Sequence, residues 1–219
     1  MKTSFLSMVV LLMASAYSSC NTDNGTDTEY PDVTATEVTV TGMLKYRQSS
    51  SGASEVVNWP YGPATFKAIL GADQVLASAT VSADGSFTLV LPATVSGFYL
   101  NSLTAQANSQ GGNVQATPET IRLLSTIQYK VDYTSNGTPM SFIANLHTLN
   151  ADMTVAKSYF FNFYDREGTL TGTGNTGNTF DWTFIKGWGF VELYKINSTS
   201  DAFVSRSISA LPATAFWLN

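Results

Sequence analysis

Apolar and polar residues alternate along most of this chain, and this pattern limits it to a β-rich fold. Phe87, Leu89 and Leu91 occupy alternate positions shortly after the pair Asp84-Gly85. An Asp-Gly pair flanked by such alternation is a strong signal for a hairpin turn. No segment carries a long apolar stripe with the 3.6-residue period of a helix. The sequence therefore predicts an all-β protein.

Other segments repeat the alternation, and polar turns separate them. Gly42 interrupts the first of these segments, and the polar, Gly-rich stretch 108–113 is the clearest boundary between two halves of the chain. The further predicted strands are 38–40, 66–70, 75–81, 98–107, 127–133, 141–146, 155–164, 169–173, 180–184 and 190–196.

Composition excludes several classes of protein. The 219 residues include 11 Lys+Arg, 16 Asp+Glu, one His and one Cys. Too few basic residues are present to neutralise a nucleic-acid backbone, so no nucleic-acid partner is expected. A single thiol and a single imidazole cannot build a disulfide framework or a Cys/His zinc site, and no metal or cofactor is implied. One apolar run, at the N-terminus, is too little for a polytopic membrane protein.

The N-terminus has the features of an export signal. Lys2 precedes a short apolar segment, 5–14, which is too short to span a membrane as a helix. Cys20, the only cysteine, follows small residues, and the arrangement resembles a bacterial lipoprotein signal. The resemblance implies a signal peptide at 1–19 and a membrane anchor through lipidated Cys20. The alternative is ordinary cleavage after Ala16, which would leave a secreted protein with a free thiol.

An acidic tether is predicted to follow the cysteine, over residues 20–35. The stretch 21–32 contains four acidic residues and no basic residue, so it cannot bury enough surface to order itself. With Lys2 in the signal and four acids in the tether, the remaining chain carries ten basic and twelve acidic residues. The tether resembles the acidic spacers of surface lipoproteins of the Bacteroides group, which implies outer-membrane, surface-exposed display. A plain solvated linker is the alternative.

Segments in the first half resemble a known β-sandwich family. They are 40–42 (Val-Thr-Gly), 63–66 (Pro-Ala-Thr-Phe), 76–80, and 84–92 (Asp-Gly-Ser-Phe-Thr-Leu-Val-Leu-Pro). Their order is similar to the carboxypeptidase regulatory-like, transthyretin-like Greek-key sandwich. The resemblance covers residues 36–107 and implies a spacer or adhesive module without catalytic residues of its own.

The second half resembles the C-terminal halves of small bacterial lipoproteins of undescribed function. The resemblance rests on 164–172 (Tyr-Asp-Arg-Glu-Gly-Thr-Leu-Thr-Gly) and 186–191 (Lys-Gly-Trp-Gly-Phe-Val). The expected organisation is two Greek-key-like β-sandwich domains in tandem, at 36–107 and 114–219, after the signal peptide and tether. One larger sandwich spanning both halves is the alternative.

Catalytic chemistry has few candidates. Every His-dependent mechanism must use His147, and the chain lacks a Gly-x-Ser-x-Gly elbow. Asp165, Glu167 and Asp181 are the candidates for a carboxylate pair of the glycosidase kind, with Glu192 on a predicted strand. Asp165 and Glu167 are better explained as turn formers, because Asp favours local backbone hydrogen bonds. We therefore expect no catalytic residues.

The loop 58–63 (Asn-Trp-Pro-Tyr-Gly-Pro) is the main candidate for binding. Trp59 and Tyr61, on a loop stiffened by two prolines, could stack on a sugar or anchor a protein. The alternative is that Trp59 covers an edge of the core, since large aromatic side chains are mostly buried. Trp182 and Trp188 are predicted core residues.

Together these features predict a lipid-anchored cell-envelope protein. Its role would be non-catalytic, either binding a glycan or protein at the cell surface or providing structure. The alternatives are a small envelope hydrolase and a fimbria-like assembly subunit.

Overall fold

The fold is all-β, as the alternation predicts. The structure, a computed structural model, describes residues 30–50, 53–71, 74–125, 127–196 and 202–218. The predicted signal peptide 1–19, Cys20 and the tether as far as residue 29 lie outside the described residues.

Eighteen strands, one α-helix and one 3-10 turn make up the described chain. The helix α1 is Leu103–Gln110, and the 3-10 turn is Gly97–Tyr99. The strands are β1 (Val33–Thr34), β2 (Val38–Ser50), β3 (Ala53–Asn58), β4 (Ala64–Leu70), β5 (Gln74–Val81), β6 (Ser86–Leu91), β7 (Thr94–Val95), β8 (Asn101–Ser102), β9 (Gln115–Thr117), β10 (Arg122–Leu124), β11 (Ile127–Ser135), β12 (Thr138–Leu149), β13 (Val155–Tyr164), β14 (Gly168–Thr173), β15 (Thr179–Phe184), β16 (Gly187–Lys195), β17 (Phe203–Ile208) and β18 (Phe216–Leu218).

Two long strands pass from one group of paired strands to another. The first half of β2 pairs with β6 and its second half with β3 and β18. The first half of β12 pairs with β11, which continues to β4 and β5, and its second half pairs with β13 and β18. From β13 the sheet continues through β16, β17, β15, β14 and β9. The strands β1 and β7 form a separate pair, so Val33–Thr34 at the end of the predicted tether belongs to a strand.

The main core lies between these strand groups. Phe66 on β4 stacks on Phe87 of β6 with ring centroids 4.3 Å apart, and the edge of Trp217 on β18 meets the Phe66 ring at 4.8 Å. These side chains come from both predicted sandwich segments, 36–107 and 114–219. The two segments therefore share sheets and one cluster of buried side chains.

A second, smaller cluster lies around α1 and β13–β16. Tyr164 and Phe184 stack there with ring centroids 3.9 Å apart. Trp182 is buried in this cluster, and Trp188 is buried in the main core, as predicted for both.

The predicted strand at 98–107 is wrong. This segment forms the 3-10 turn, the two-residue β8 and the helix α1. Ser102 caps the helix because its Oγ accepts a hydrogen bond from the Ala105 N–H at 3.1 Å. Gly111, with φ of +64°, ends it. The apolar pattern of this segment favours neither a strand nor a helix. The capping residues at its two ends therefore determine that it forms a helix.

Gly42 does not end the first strand, because β2 continues through it to Ser50. Gly42 instead marks the change of partner from β6 to β3 and β18. The turn predicted at Asp84-Gly85 is present, with φ of +90° at Gly85 and the Asp84 carboxylate accepting from the Ser86 N–H at 2.9 Å. It does not form the predicted hairpin, because β5 pairs with β4 and β6 pairs with β2.

Candidate functional site

The loop after β3 is held by its own tryptophan. The Trp59 Nε1–H donates to the Gly62 carbonyl oxygen at 2.6 Å. Gly62 has φ of +73°, a backbone conformation that glycine adopts without strain. The loop is therefore closed around the indole, and it leads directly into β4 at Ala64.

Five aromatic side chains meet at this loop, and we call them the aromatic site. They are Tyr46 of β2, Trp59 and Tyr61 of the loop, Tyr133 of β11 and Phe142 of β12. Ring centroids of Trp59 lie 5.1 Å from Tyr61, 5.2 Å from Tyr133 and 5.9 Å from Phe142. Tyr61 and Tyr133 are 4.7 Å apart, and Tyr46 meets Tyr61 edge-on at 5.1 Å. These separations fall in the range that favours aromatic pairs.

Burial differs within the aromatic site. Trp59 is 3% exposed, so it forms the floor of the site. Tyr46, Tyr61, Tyr133 and Phe142 are each partly exposed. The surface offered to a ligand therefore consists of tyrosine and phenylalanine rings supported by a buried indole.

The hydroxyl groups of Tyr61 and Tyr133 keep their protons at physiological pH. A hydrogen bond with Tyr46, together with burial, raises the pKa of Tyr61 to about 12. Burial and the neighbouring Tyr46 also raise the pKa of Tyr133. Both groups can therefore donate hydrogen bonds as well as present a ring face.

A groove of about 680 Å³ adjoins the aromatic site at Tyr133. Its wall includes Pro63 from the loop and residues of β4, β5, β11 and β12. The groove combines hydroxyl groups, one carboxylate, a tyrosine and the apolar surfaces of Pro63 and Met140. Such a mixture of apolar surface and a few convergent polar groups is typical of ligand sites.

The sequence identified two residues of this site and missed three. Trp59 and Tyr61 were candidates, and the structure brings both into the aromatic site, with Trp59 as a core side chain. Tyr46, Tyr133 and Phe142 were not expected there. Tyr133 lies at the end of a predicted alternating strand, which is a weak signal for it, whereas Tyr46 and Phe142 join the site only through strand pairing.

His147 is a buried residue of β12. Its Nδ1 lies 3.0 Å from the Ser158 Oγ, and the two side chains belong to directly paired residues of β12 and β13. Burial, with the nearby Arg47 charge, lowers the pKa of His147 to about 4. His147 is 4% exposed and Ser158 is 3% exposed. The groove at the aromatic site and a second groove of about 430 Å³ above Trp217 are lined by other residues. Among the described residues, the His–Ser pair therefore has hydrogen-bond geometry, and both of its side chains are almost completely buried.

The candidate carboxylates have separate structural partners. Asp165 is buried, and it accepts the Arg122 backbone N–H at 2.9 Å and an ion pair from Arg166 at 3.1 Å. Glu192 is also buried, and Lys157 and Arg206 each bond it at 2.9 Å.

Glu167 and Asp181 are exposed, the first in the turn before β14 and the second in the middle of β15. Two of the four candidate carboxylates are therefore buried in ion pairs, and the other two are exposed on β15 and in the turn before β14.

Within the described residues, no three His, Cys, Asp or Glu side chains come together as ligands for a metal ion. None of the helices in the described ranges has the length and apolar content needed to cross a membrane.

Comparisons with protein-family models, with curated proteins and with solved structures find no match to this chain.

Proposed function

We propose that this chain is a lipid-anchored protein of the bacterial cell envelope with a non-catalytic role, and that its aromatic site binds a glycan. The observation that carries the proposal is the group of partly exposed rings, Tyr46, Tyr61, Tyr133 and Phe142, around buried Trp59. Exposed rings on a rigid base lose little conformational entropy when a ligand stacks on them. The C–H face of a pyranose ring is a suitable partner, because aromatic rings supply flat apolar area with polar hydroxyl tips.

The position of the aromatic site suits capture of material outside the cell surface. The described chain begins at Tyr30, whose ring lies 5.3 Å from the Arg122 guanidinium of β10. β11 begins just after β10, and Tyr133 lies six residues further along β11, about 20 Å from its start. The site is therefore at the end of β11 that is remote from where the tether enters the fold.

Affinity electrophoresis tests the proposal. In native gels that each contain one neutral or acidic polysaccharide, at least one polysaccharide should slow the migration of the wild-type protein. Tyr61→Ala should reduce that retardation at least tenfold in apparent affinity, because it removes a stacking face. Tyr194→Ala is the matched control, since Tyr194 is a partly exposed tyrosine on β16 outside the aromatic site.

The Tyr61 variant is preferred to Trp59→Ala. Trp59 is buried and supports the site, so its removal would lower stability and binding together. Equal retardation of wild type and Tyr61→Ala would contradict glycan binding at this site, and so would the absence of retardation by every polysaccharide.

A further inference from the structure

Three exposed hydrophobic side chains lie at the end of the fold where the described chain begins. Phe98, in the 3-10 turn, is 76% exposed, Tyr30 is 52% exposed, and Val75, near the start of β5, is 49% exposed. Among the described residues, Phe98 is the most exposed large hydrophobic side chain. We call these three residues the basal patch.

Contacts of the 3-10 turn bring the basal patch together. A Cβ added to Gly97, the first residue of the turn, would lie 2.7 Å from the Tyr30 carbonyl oxygen, so the backbone at Tyr30 touches the turn. At the end of the turn, the Tyr99 hydroxyl donates a hydrogen bond to the side-chain oxygen of Gln74, which directly precedes Val75. The three residues of the patch therefore lie close to one another, although they come from three separate segments.

β4 separates the basal patch from the aromatic site. This strand begins at Ala64, directly after the loop 58–63, and it ends at Leu70, which pairs with Gln74 of β5. A strand of seven residues is about 20 Å long. The basal patch and the aromatic site therefore lie at opposite ends of β4.

The chain before Tyr30 connects the basal patch to the proposed anchor. Tyr30 follows Cys20 by ten residues, so the two residues can be at most about 35 Å apart. With Cys20 held in a bilayer, a connection of this length keeps the patch at a high local concentration beside the lipid. A contact that is too weak to bind a free protein to a membrane is then populated.

The chemistry of the basal patch suits a lipid surface. Tyrosine is enriched at membrane interfaces because its ring is apolar and its hydroxyl is polar, and side chains such as those of Phe98 and Val75 can enter the boundary between headgroups and acyl chains. The Arg122 guanidinium lies 5.3 Å from the Tyr30 ring and also pairs with Asp165 at 3.5 Å, so its charge is compensated. Apolar contact therefore dominates, and a zwitterionic lipid surface is sufficient.

We propose that the basal patch rests on the membrane that holds the lipid anchor, so that the aromatic site faces away from the bilayer. The proposal rests on the proposed function, specifically on the anchor at Cys20, and adds the surface of the fold that meets the lipid. The fold then stands on the membrane in a defined orientation.

Quenching of tryptophan fluorescence by brominated lipids tests the proposal. Full-length lipoprotein with Val75→Trp is purified from membranes and reconstituted in phosphatidylcholine vesicles with or without bromine on the acyl chains. The four native tryptophans are buried, and their emission is subtracted with the wild-type protein. We expect the emission of the introduced tryptophan to fall at least about twofold in brominated vesicles, because bromine quenches at short range and the patch touches the lipid.

Two further variants locate the contact. Met140→Trp places the probe at a similarly exposed position, on the residue of β12 that pairs with Tyr133, and is the matched control that should not be quenched. Phe98→Asp, combined with Val75→Trp, puts a charge in the patch and should remove most of the quenching. Because Phe98 is largely exposed, this change should leave the fold intact, and thermal melting verifies it.

Flotation of the vesicles separates this inference from the anchor. If the protein floats with the vesicles but Val75→Trp is quenched no more than Met140→Trp, the inference is overturned and the anchor stands. Quenching that Phe98→Asp does not reduce would also overturn it. Emission of Val75→Trp that changes with the density of protein in unbrominated vesicles would assign the patch to a second copy of the chain instead. Protein that does not float would overturn the anchor and this inference together.

Discussion

Trp59 and Tyr61 are two residues apart in sequence and differ in what their side chains can do. Trp59 is buried and bonds its own loop, whereas Tyr61 is partly exposed at the surface. The sequence predicted that this loop matters, since Trp and Tyr on a Pro-bordered loop are unusual. It could not assign the two roles, because the burial of Trp59 depends on Tyr133 and Phe142, more than 70 residues away.

The lone histidine gives a prediction about pH. Burial and the Arg47 charge lower the pKa of His147 from 6.5 to about 4, so the native state resists protonation that the unfolded chain accepts. The unfolded chain then binds more protons than the native state below pH 6.5. The contribution of His147 to the free energy of unfolding is therefore fully present above pH 6.5. It falls as the pH is lowered, by about 3 kcal/mol at pH 4.

Urea unfolding at pH 7 and at pH 4 checks this effect in the wild type and in His147→Gln. The variant should lose less stability between the two pH values, since glutamine does not titrate. Parallel loss in both proteins would show that His147 is not a buried neutral group.

At the scale of elements, the strands were easier to predict than their ends and bends. Alternation located β4, β6 and β11 because each has one face on a core. The helix α1 was missed because an eight-residue helix with an Ser102 cap carries only two buried side chains. The changes of pairing partner within β2 and β12 were missed because alternation does not encode which strand a residue pairs with.

Gly42 provides a test of the packing at the point where β2 changes its pairing partner. A Cβ at this position would lie 2.5 Å from Phe87 Cζ and 2.9 Å from Trp217 Nε1, both in the main core. Gly42→Ala should therefore lower the free energy of unfolding by about 1–3 kcal/mol through overpacking. Chemical denaturation measures the change.

Gly137→Ala is the control for Gly42→Ala. Gly137 has φ of +78° with no heavy atom within 4 Å of an added Cβ, so only backbone strain acts there. We expect a cost of about 1 kcal/mol. A smaller cost at Gly42 than at Gly137 would contradict the close packing of Gly42 against Phe87 and Trp217.

At the scale of the whole molecule, the proposed protein has a lipid anchor, a tether and a binding site remote from both. The all-β fold followed from the sequence. The core shared by Phe66, Phe87 and Trp217 could not be predicted from the sequence, because it brings together residues up to about 150 positions apart. The groove was equally inaccessible from sequence, since its wall is assembled from four strands by pairing register.

The anchor is tested by membrane fractionation. Cys20→Ala, or treatment with globomycin, should move the protein from the membrane fraction to the soluble fraction, since the thiol is the proposed lipid attachment. Ser19→Ala, next to the cysteine, is the control and should remain membrane-bound. Membrane association that survives in Cys20→Ala would contradict the anchor.

If a glycan binds at the aromatic site, it covers the exposed tyrosine rings there, and hydroxyl-radical footprinting with mass spectrometry measures that contact. Oxidation of each tyrosine is compared with and without a saturating polysaccharide that retards the protein. The account predicts protection of Tyr61 and Tyr133 by at least threefold and unchanged oxidation of Tyr194. Protection of Tyr194 with unchanged Tyr61 and Tyr133 would contradict it.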